Sequence, residues 1–259
     1  MEAGLNLYSI KNLLQSEEEF LSTAIKLKEM GYSYMQFSGA PYETEKLARV
    51  SKESGLPICL THVSMDRIIN EPEKLMEEHA KFGCKNIGLG SMPLDTVLDD
   101  NAFQKEVEKL NRSGEIMQKN GFKFFYHHHH YEFLKRSNGE TYFDYMLQNA
   151  PFINFTMDTY WMQYGGTNVL SLLDRLKGRM ECVHLKDYRL VVLDNEDGTK
   201  KVAPTFAPVG DGTIDFVAVV NKMQEMGVKY YLVEQDDAAY YPNPLEQVQR
   251  SINYIKKEL

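Results

Sequence analysis

The chain has 259 residues, a formal net charge of −8 and 43 % hydrophobic residues, enough for one large α/β domain with a sizeable core. The acidic balance argues against a nucleic-acid partner, because phosphate binding needs a basic surface, and no apolar run approaches the roughly 20 residues that span a bilayer. The opening "MEAGLNLYSIKN" lacks the basic and apolar regions of a signal peptide, and Cys59, Cys84 and Cys182 are odd in number and far apart, so a reduced, cytoplasmic protein with buried thiols is expected.

In chain order, a strand-like run at 4–8 precedes "SEEEFLSTAIKLKEMG", which opens with Ser16 and Glu19 in capping-box spacing and closes at Gly31. The run at 34–37 leads to "ETEKLARVSKESG", closing at Gly55, and the run at 57–61 to "EPEKLMEEHAKFG", with Pro72 in its first turn and Gly83 past its last. After the run at 86–89 comes "DNAFQKEVEKLNRSGEIMQKNG", closing at Gly121. Runs at 122–126, 153–157 and 182–185 alternate with "YFDYMLQNA", "VLSLLDRLKG" and "DFVAVVNKMQEMG". The run at 230–233 and the helix "LEQVQRSINYIKKEL" finish the pattern. Eight strand-like runs, most of them followed by a helical segment, in a chain of this length predict a single (β/α)8 barrel over 1–259. An open doubly wound sheet is the runner-up, and no G-x-G-x-x-G follows the first strand. The irregular region 186–212 holds two β-prone runs around Asp197-Gly198, which predicts a hairpin inserted after strand seven.

The ends of the last four strands carry metal-binding side chains: His127, Asp158, His184 and Glu234. A barrel gathers such ends around one axis. Two imidazoles and two carboxylates suit a transition-metal ion better than Ca²⁺. Each residue also has a structural alternative, such as a turn, a helix cap or a satisfied core histidine; their coincidence on four consecutive strands favours the metal. A glutamate ending an aromatic and β-branched strand is costly unless it is paired or metal-bound.

The phrases "YHHHHYEF", "MDTYWMQYGG", "VHLKDY", "APVGDGTIDF" and "YYLVEQD" resemble those of the sugar phosphate isomerase/epimerase family, which has the xylose isomerase-like barrel. The resemblance implies one divalent ion, Mn, Zn, Co, Fe or Mg with Mn or Zn favoured, and carries Asp158, His184 and Glu234 over as ligands. Many members end strand five in glutamate, and one subgroup reads "YHNHxxEF". Here the run is His127-His128-His129-His130 before Glu132-Phe133. Either His127 replaces the carboxylate as ligand or Glu132 reaches back from the loop; position favours His127. A cloning tag is excluded by the internal site and the strand that precedes it.

The expected chemistry is proton transfer beside a carbonyl through an enediolate. Glu234 is the first base, with Glu132, His127 or His129 as the second. Lys186 shares the inward direction of His184 and is expected to stabilise an oxyanion or hold a carboxylate or phosphate. His62 is expected to touch substrate hydroxyls and Trp161 to stack on a sugar ring. "VGDGTIDF" is expected to let Thr213 cap the helix from Asp215, with weak capacity for a phosphate at that helix start. The leading function is a metal-dependent isomerase or epimerase of a small keto sugar; the alternative is a lyase or dehydratase of 3-keto glycosides or inosose-like substrates. An abasic-site endonuclease is disfavoured by the acidic charge and few ligands, and a non-catalytic sugar-binding barrel is kept as a further alternative. The expected partner is a small carbohydrate, with no nucleic acid and no membrane. A homo-oligomer is admitted, although nothing in the sequence locates an interface.

Overall fold

The computed structural model describes residues 1–176 and 178–259. Strands β1 (Gly4–Asn6), β2 (Tyr34–Phe37), β3 (Ile58–His62), β4 (Asn86–Leu89), β5 (Lys123–His127), β6 (Ile153–Asp158) and β7 (Cys182–Leu185) form seven staves of a closed parallel barrel. Strands β8 (Asp187–Asp194) and β9 (Lys200–Ala207) pair antiparallel outside it, and β10 (Tyr230–Val233) is the eighth stave, between β7 and β1. The helices are α1 (Glu17–Met30), α2 (Thr44–Ser54), α3 (Met65–Asn70), α4 (Pro72–Ala80), α5 (Leu94–Leu98), α6 (Asp100–Lys119), α7 (Tyr142–Asn149), α8 (Thr159–Tyr164), α9 (Val169–Asp174), α10 (Phe216–Glu225) and α11 (Pro244–Glu258). No helix among the described residues is long and apolar enough to cross a membrane.

Local chemistry accounts for the boundaries. Ser16 and Glu19 form the reciprocal capping box that opens α1, with the Glu19 amide donating to Ser16 Oγ at 3.1 Å. β1 stops earlier than predicted, because Asn6 Oδ1 accepts the Tyr8 amide and turns the chain into a 3₁₀ segment. Strands β3, β5 and β6 run one residue further than predicted, to His62, His127 and Asp158. Helices α3, α5 and α8, of five or six residues, are too short to declare a period. Lys177, in the predicted segment "VLSLLDRLKG", lies outside the described residues.

The barrel interior is built in two layers. Tyr34, Leu60, Phe125, Cys182 and Leu232 form an apolar layer, together with Cys59. Two residues further along each strand stand Gln36, His62, His127, His184 and Glu234. Side chains alternate along a strand with period two, so the same staves that plug the barrel present a polar ring above the plug. Cys59, Cys84 and Cys182 are free and buried.

The loop "VGDGTIDF" folds around Asp187. The amides of Gly210, Gly212 and Ile214 donate to its carboxylate at 2.9, 2.8 and 3.3 Å. A Cβ on Gly212 would collide with that carboxylate. Thr213 does not cap α10, contrary to the sequence expectation: its hydroxyl donates to the Tyr188 carbonyl, and Asp215 caps the helix by accepting from the Ala218 amide. The donors that suggested a phosphate are thus spent on the protein's own carboxylates. Asp187→Ala is expected to cost about 2–3 kcal/mol, because it strands buried amide donors. A urea denaturation midpoint equal to that of the wild type would remove this clamp from the stability argument.

Candidate metal centre and active site

His127, Asp158, His184 and Glu234 converge at the C-terminal mouth of the barrel, all four buried, each offering a ligand atom within 4.8 Å of the others. Asp158 Oδ2 lies 3.4 Å from His127 Nε2 and 3.6 Å from His184 Nδ1, and Glu234 Oε2 lies 2.7 Å from His184 Nδ1. Bonds of about 2.0–2.2 Å from a central ion put neighbouring donors roughly 3–3.5 Å apart, so the set has the size of a coordination shell.

The outward atoms of these side chains are already engaged. His127 donates from Nδ1 to the Gly90 carbonyl at 2.8 Å, which leaves the Nε2 lone pair facing the cluster. His184 donates from Nε2 to Gln36 Oε1 at 2.8 Å, which leaves Nδ1 inward. Asp158 Oδ1 accepts the Trp161 amide at 3.0 Å and caps α8, and Glu234 Oε1 accepts from Asn6 Nδ2 at 2.8 Å. His184 Nδ1 and Glu234 Oε2 are buried without a well-aligned hydrogen bond. Imidazoles oriented by a second acceptor, with ring nitrogens and carboxylate oxygens turned towards one point, are the arrangement a divalent ion satisfies. The residues present therefore fit a metal.

Lys186 is buried beside them. Its ammonium lies 3.1 Å from Asp158 Oδ2, 3.1 Å from Glu234 Oε2 and 2.9 Å from Asp236 Oδ1. Burial alone would lower its pKa, but the Asp158, Asp236 and Glu234 carboxylates outweigh burial and hold it charged. Burial likewise opposes the charge on Glu234, and the neighbouring His184 and Lys186 overcome it, holding the carboxylate well below its ordinary range. Burial pulls His184 down, while Glu234 and Asp158 raise it to about 9.

Lys186, saturated by three carboxylates, has little left for a phosphate. Asp236, which sequence reading missed, shares the parity of Glu234 in "VEQD"; that parity was the available signal. Asn6 and Gln36, also missed, carry no local signal. Their partners are contributed by strands 228 and 148 residues away.

A cavity of about 190 Å³ opens above the cluster, lined by Tyr8, Ser38, His62, His129, Lys186 and Asp236 among others. His62 lies at this mouth as expected, yet both ring nitrogens are engaged, Nε2 with Gln36 at 2.9 Å and Nδ1 with Ser38 Oγ at 3.3 Å. A Cβ on Gly90 would press to 3.0 Å of that ring, so glycine there makes room for it. His129 contacts the Tyr131 hydroxyl through Nδ1 at 3.3 Å. Burial first, then the neighbouring His127 and Lys186, hold it far below its ordinary pKa and therefore neutral.

Trp161 does not present a free face to a sugar, contrary to expectation. His130 stacks on it with ring centroids 5.2 Å apart and the Lys186 ammonium lies 5.2 Å from its ring centre.

Glu132 turns away from the cluster. Its carboxylate accepts from Tyr126 Oη at 2.7 Å and from the His129 amide at 2.8 Å, and it is fully buried. It reaches back, but to the backbone of the histidine run and not into the ligand set, so the geometry leaves it neither ligand nor base. Burial raises its pKa to about 7, against the lowering by these hydrogen bonds. The folded chain binds this proton more tightly than the unfolded chain. Its contribution to stability is thus full below the unfolded value near 4.5 and is lost as pH rises through about 7. Glu132→Gln is expected to flatten the decline in stability across that window; an unchanged pH dependence of the denaturation midpoint would contradict this. His128 points outward, as alternation requires. It is fully buried, accepts the Asp158 amide at Nε2 at 3.0 Å, and its Nδ1 meets the His129 carbonyl.

Comparison with known proteins agrees with this architecture. The chain is 30 % identical over 277 aligned residues to an inosose dehydratase of Klebsiella pneumoniae subsp. pneumoniae, covering 94 % of this chain and 91 % of that protein. Its fold superposes on a sugar phosphate isomerase/epimerase from Parabacteroides distasonis with a TM-score of 0.79 at 21 % identity, over 98 % and 93 % of the two chains. It also superposes on a 3-keto-D-glucoside 4-epimerase from E. coli with a TM-score of 0.66 at 15 % identity, over 99 % of each chain. Residues 25–258 match the family profile described as xylose isomerase-like TIM barrel. By that match, and by the closed barrel that carries it, the chain belongs to the xylose isomerase-like TIM barrel family.

Proposed function

We propose that the protein is a metal-dependent carbon–oxygen lyase that removes water from a small, uncharged keto-polyol of the inosose type. The observation that carries this reading is the near-full-length likeness to an inosose dehydratase. It moves the weight from the isomerase or epimerase expectation to the dehydratase alternative. The cavity supports it: among the residues lining it the one lysine is already neutralised by three carboxylates, and hydroxyl and imidazole groups make up much of the rest.

His127, Asp158, His184 and Glu234 would hold the ion, which supplies Lewis acidity for a ketone oxygen. Ser38 and Tyr8 bind substrate hydroxyls, and His62, engaged by Gln36 and Ser38, orients the serine. His129, whose Nδ1 meets the Tyr131 hydroxyl, takes the proton from the carbon beside the ketone at Nε2. The Lys186 ammonium, spent on Asp158, Glu234 and Asp236, holds the two ligand carboxylates in place. The electron pair left by the C–H bond forms a carbon–carbon double bond as the β-carbon–oxygen bond breaks. The leaving hydroxyl then takes the proton from the His129 imidazolium and departs as water. Glu234, tied to Asn6 and held strongly ionised, serves as ligand, and the base role expected of it passes to His129.

The test is incubation of the Mn²⁺-loaded protein with a keto-inositol in D₂O, followed by NMR. Loss of water to an unsaturated ketone is the expected result. Deuterium entering the carbon beside the ketone without loss of water would restore the epimerase or isomerase reading.

A further inference from the structure

A chain of hydrogen bonds leads away from the ligand set and returns to the cavity. His184 Nε2 lies 2.8 Å from Gln36 Oε1, Gln36 Nε2 lies 2.9 Å from His62 Nε2, and His62 Nδ1 lies 3.3 Å from Ser38 Oγ. It begins at a ligand and ends at Ser38, which lines the cavity. Gln36 is fully buried and Ser38 nearly so. The His62 ring is held in its place between them. Its centroid lies 5.5 Å from that of His127 and 5.8 Å from that of His184. A Cβ on Gly88 or on Gly90 would press to 3.0 Å of the same ring.

Each link dictates the next. An imidazole that offers Nδ1 to a cation carries its proton on Nε2, so His184 donates and Gln36 Oε1 accepts. A primary amide has one accepting end and one donating end. With its oxygen spent on His184, Gln36 turns its NH₂ group to His62, whose Nε2 accepts. The reversed amide would set NH₂ against the N–H of His184. A neutral imidazole that accepts at one nitrogen donates from the other, so His62 carries its proton on Nδ1 and gives it to Ser38 Oγ. Among the described residues Ser38 Oγ has no other hydrogen-bond partner. Its own proton is therefore left for the cavity.

We infer that Ser38 is a fixed donor to a substrate hydroxyl oxygen, and that Gln36 and His62 are positioning residues that impose this polarity from the ligand His184. The inference rests on the proposed metal centre and deepens the substrate reading: Ser38 reads the hydroxyl by its lone pair. Were His62 protonated at Nε2 instead, Ser38 would spend its proton on His62 and present only lone pairs to the cavity.

Histidine nitrogen NMR of the Zn²⁺-loaded protein tests the polarity, because protonated, bare and metal-bound ring nitrogens resonate apart. The His62 signals are assigned by their loss in His62→Gln. Nδ1 should be protonated and Nε2 bare. A His62 protonated at Nε2, or at both nitrogens, overturns the inference. The spectrum needs no turnover, so a failure of the lyase reading in D₂O leaves it unmoved. A failure of the metal reading shows separately, as a His184 Nδ1 that carries no metal. The contact itself is tested by calorimetric titration of a keto-inositol in the His129→Ala background, which should bind it without turnover. Adding Ser38→Ala there should raise Kd by about 3–10-fold, the loss of one neutral hydrogen bond, with metal content unchanged. An unchanged Kd would remove Ser38 as the donor.

Discussion

Replacing Asp158 or His184 by alanine should abolish stoichiometric metal binding and lower turnover by about 10³-fold or more, while leaving a folded barrel. The size follows from the Lewis acidity lost, worth several kcal/mol at about 1.36 kcal/mol per tenfold. Asp158 contributes the oxygen that lies within 3.6 Å of both histidine nitrogens, and His184 contributes an inward lone pair that Gln36 orients. The fold should survive because these residues stand in the polar ring above the apolar plug. Loss of the Asp158 cap on α8 costs about 1 kcal/mol, which a domain of this size tolerates. Elemental analysis and circular dichroism on both variants decide the matter. Metal content equal to that of the wild type in both would show that the cluster is not the site.

The end of strand five offers the second large effect, with a different outcome at each position. His127→Ala should lose the metal. His129→Ala should keep the metal and lose turnover by about 10²–10⁴-fold, the range of general acid–base catalysis. His128→Asn should be milder than either, because asparagine retains one acceptor and one donor where His128 meets the Asp158 amide and the His129 carbonyl. Glu132→Ala should lower stability and keep the metal, since its carboxylate serves Tyr126 and the His129 amide. The four variants are to be compared for metal content and turnover. If Glu132→Ala loses the metal while His127→Ala is silent, the loop carboxylate is the ligand. If His129→Ala turns over at the wild-type rate, the base lies elsewhere.

The sequence by itself determined the eight-fold alternation, the capping box at Ser16 and the four ligand candidates. Those features are written in local periodicity, and in which residue stands where an apolar run stops. A closed barrel then converts the end of each stave into a place on one ring, so the order of strands was enough to bring His127, Asp158, His184 and Glu234 together. Tertiary structure alone decided what surrounds them. Asn6 and Gln36 became supports for Glu234 and His184 because β1 and β2 close the ring against or across from β10 and β7. Glu132 became a buried brace, Lys186 a saturated charge, Trp161 a covered ring and the glycine loop a cradle for Asp187. In each case the outcome turned on which hydrogen-bond or charge partner lies within reach of the group, and for Lys186, Trp161 and Asp187 those partners come from distant strands and loops that no local pattern names.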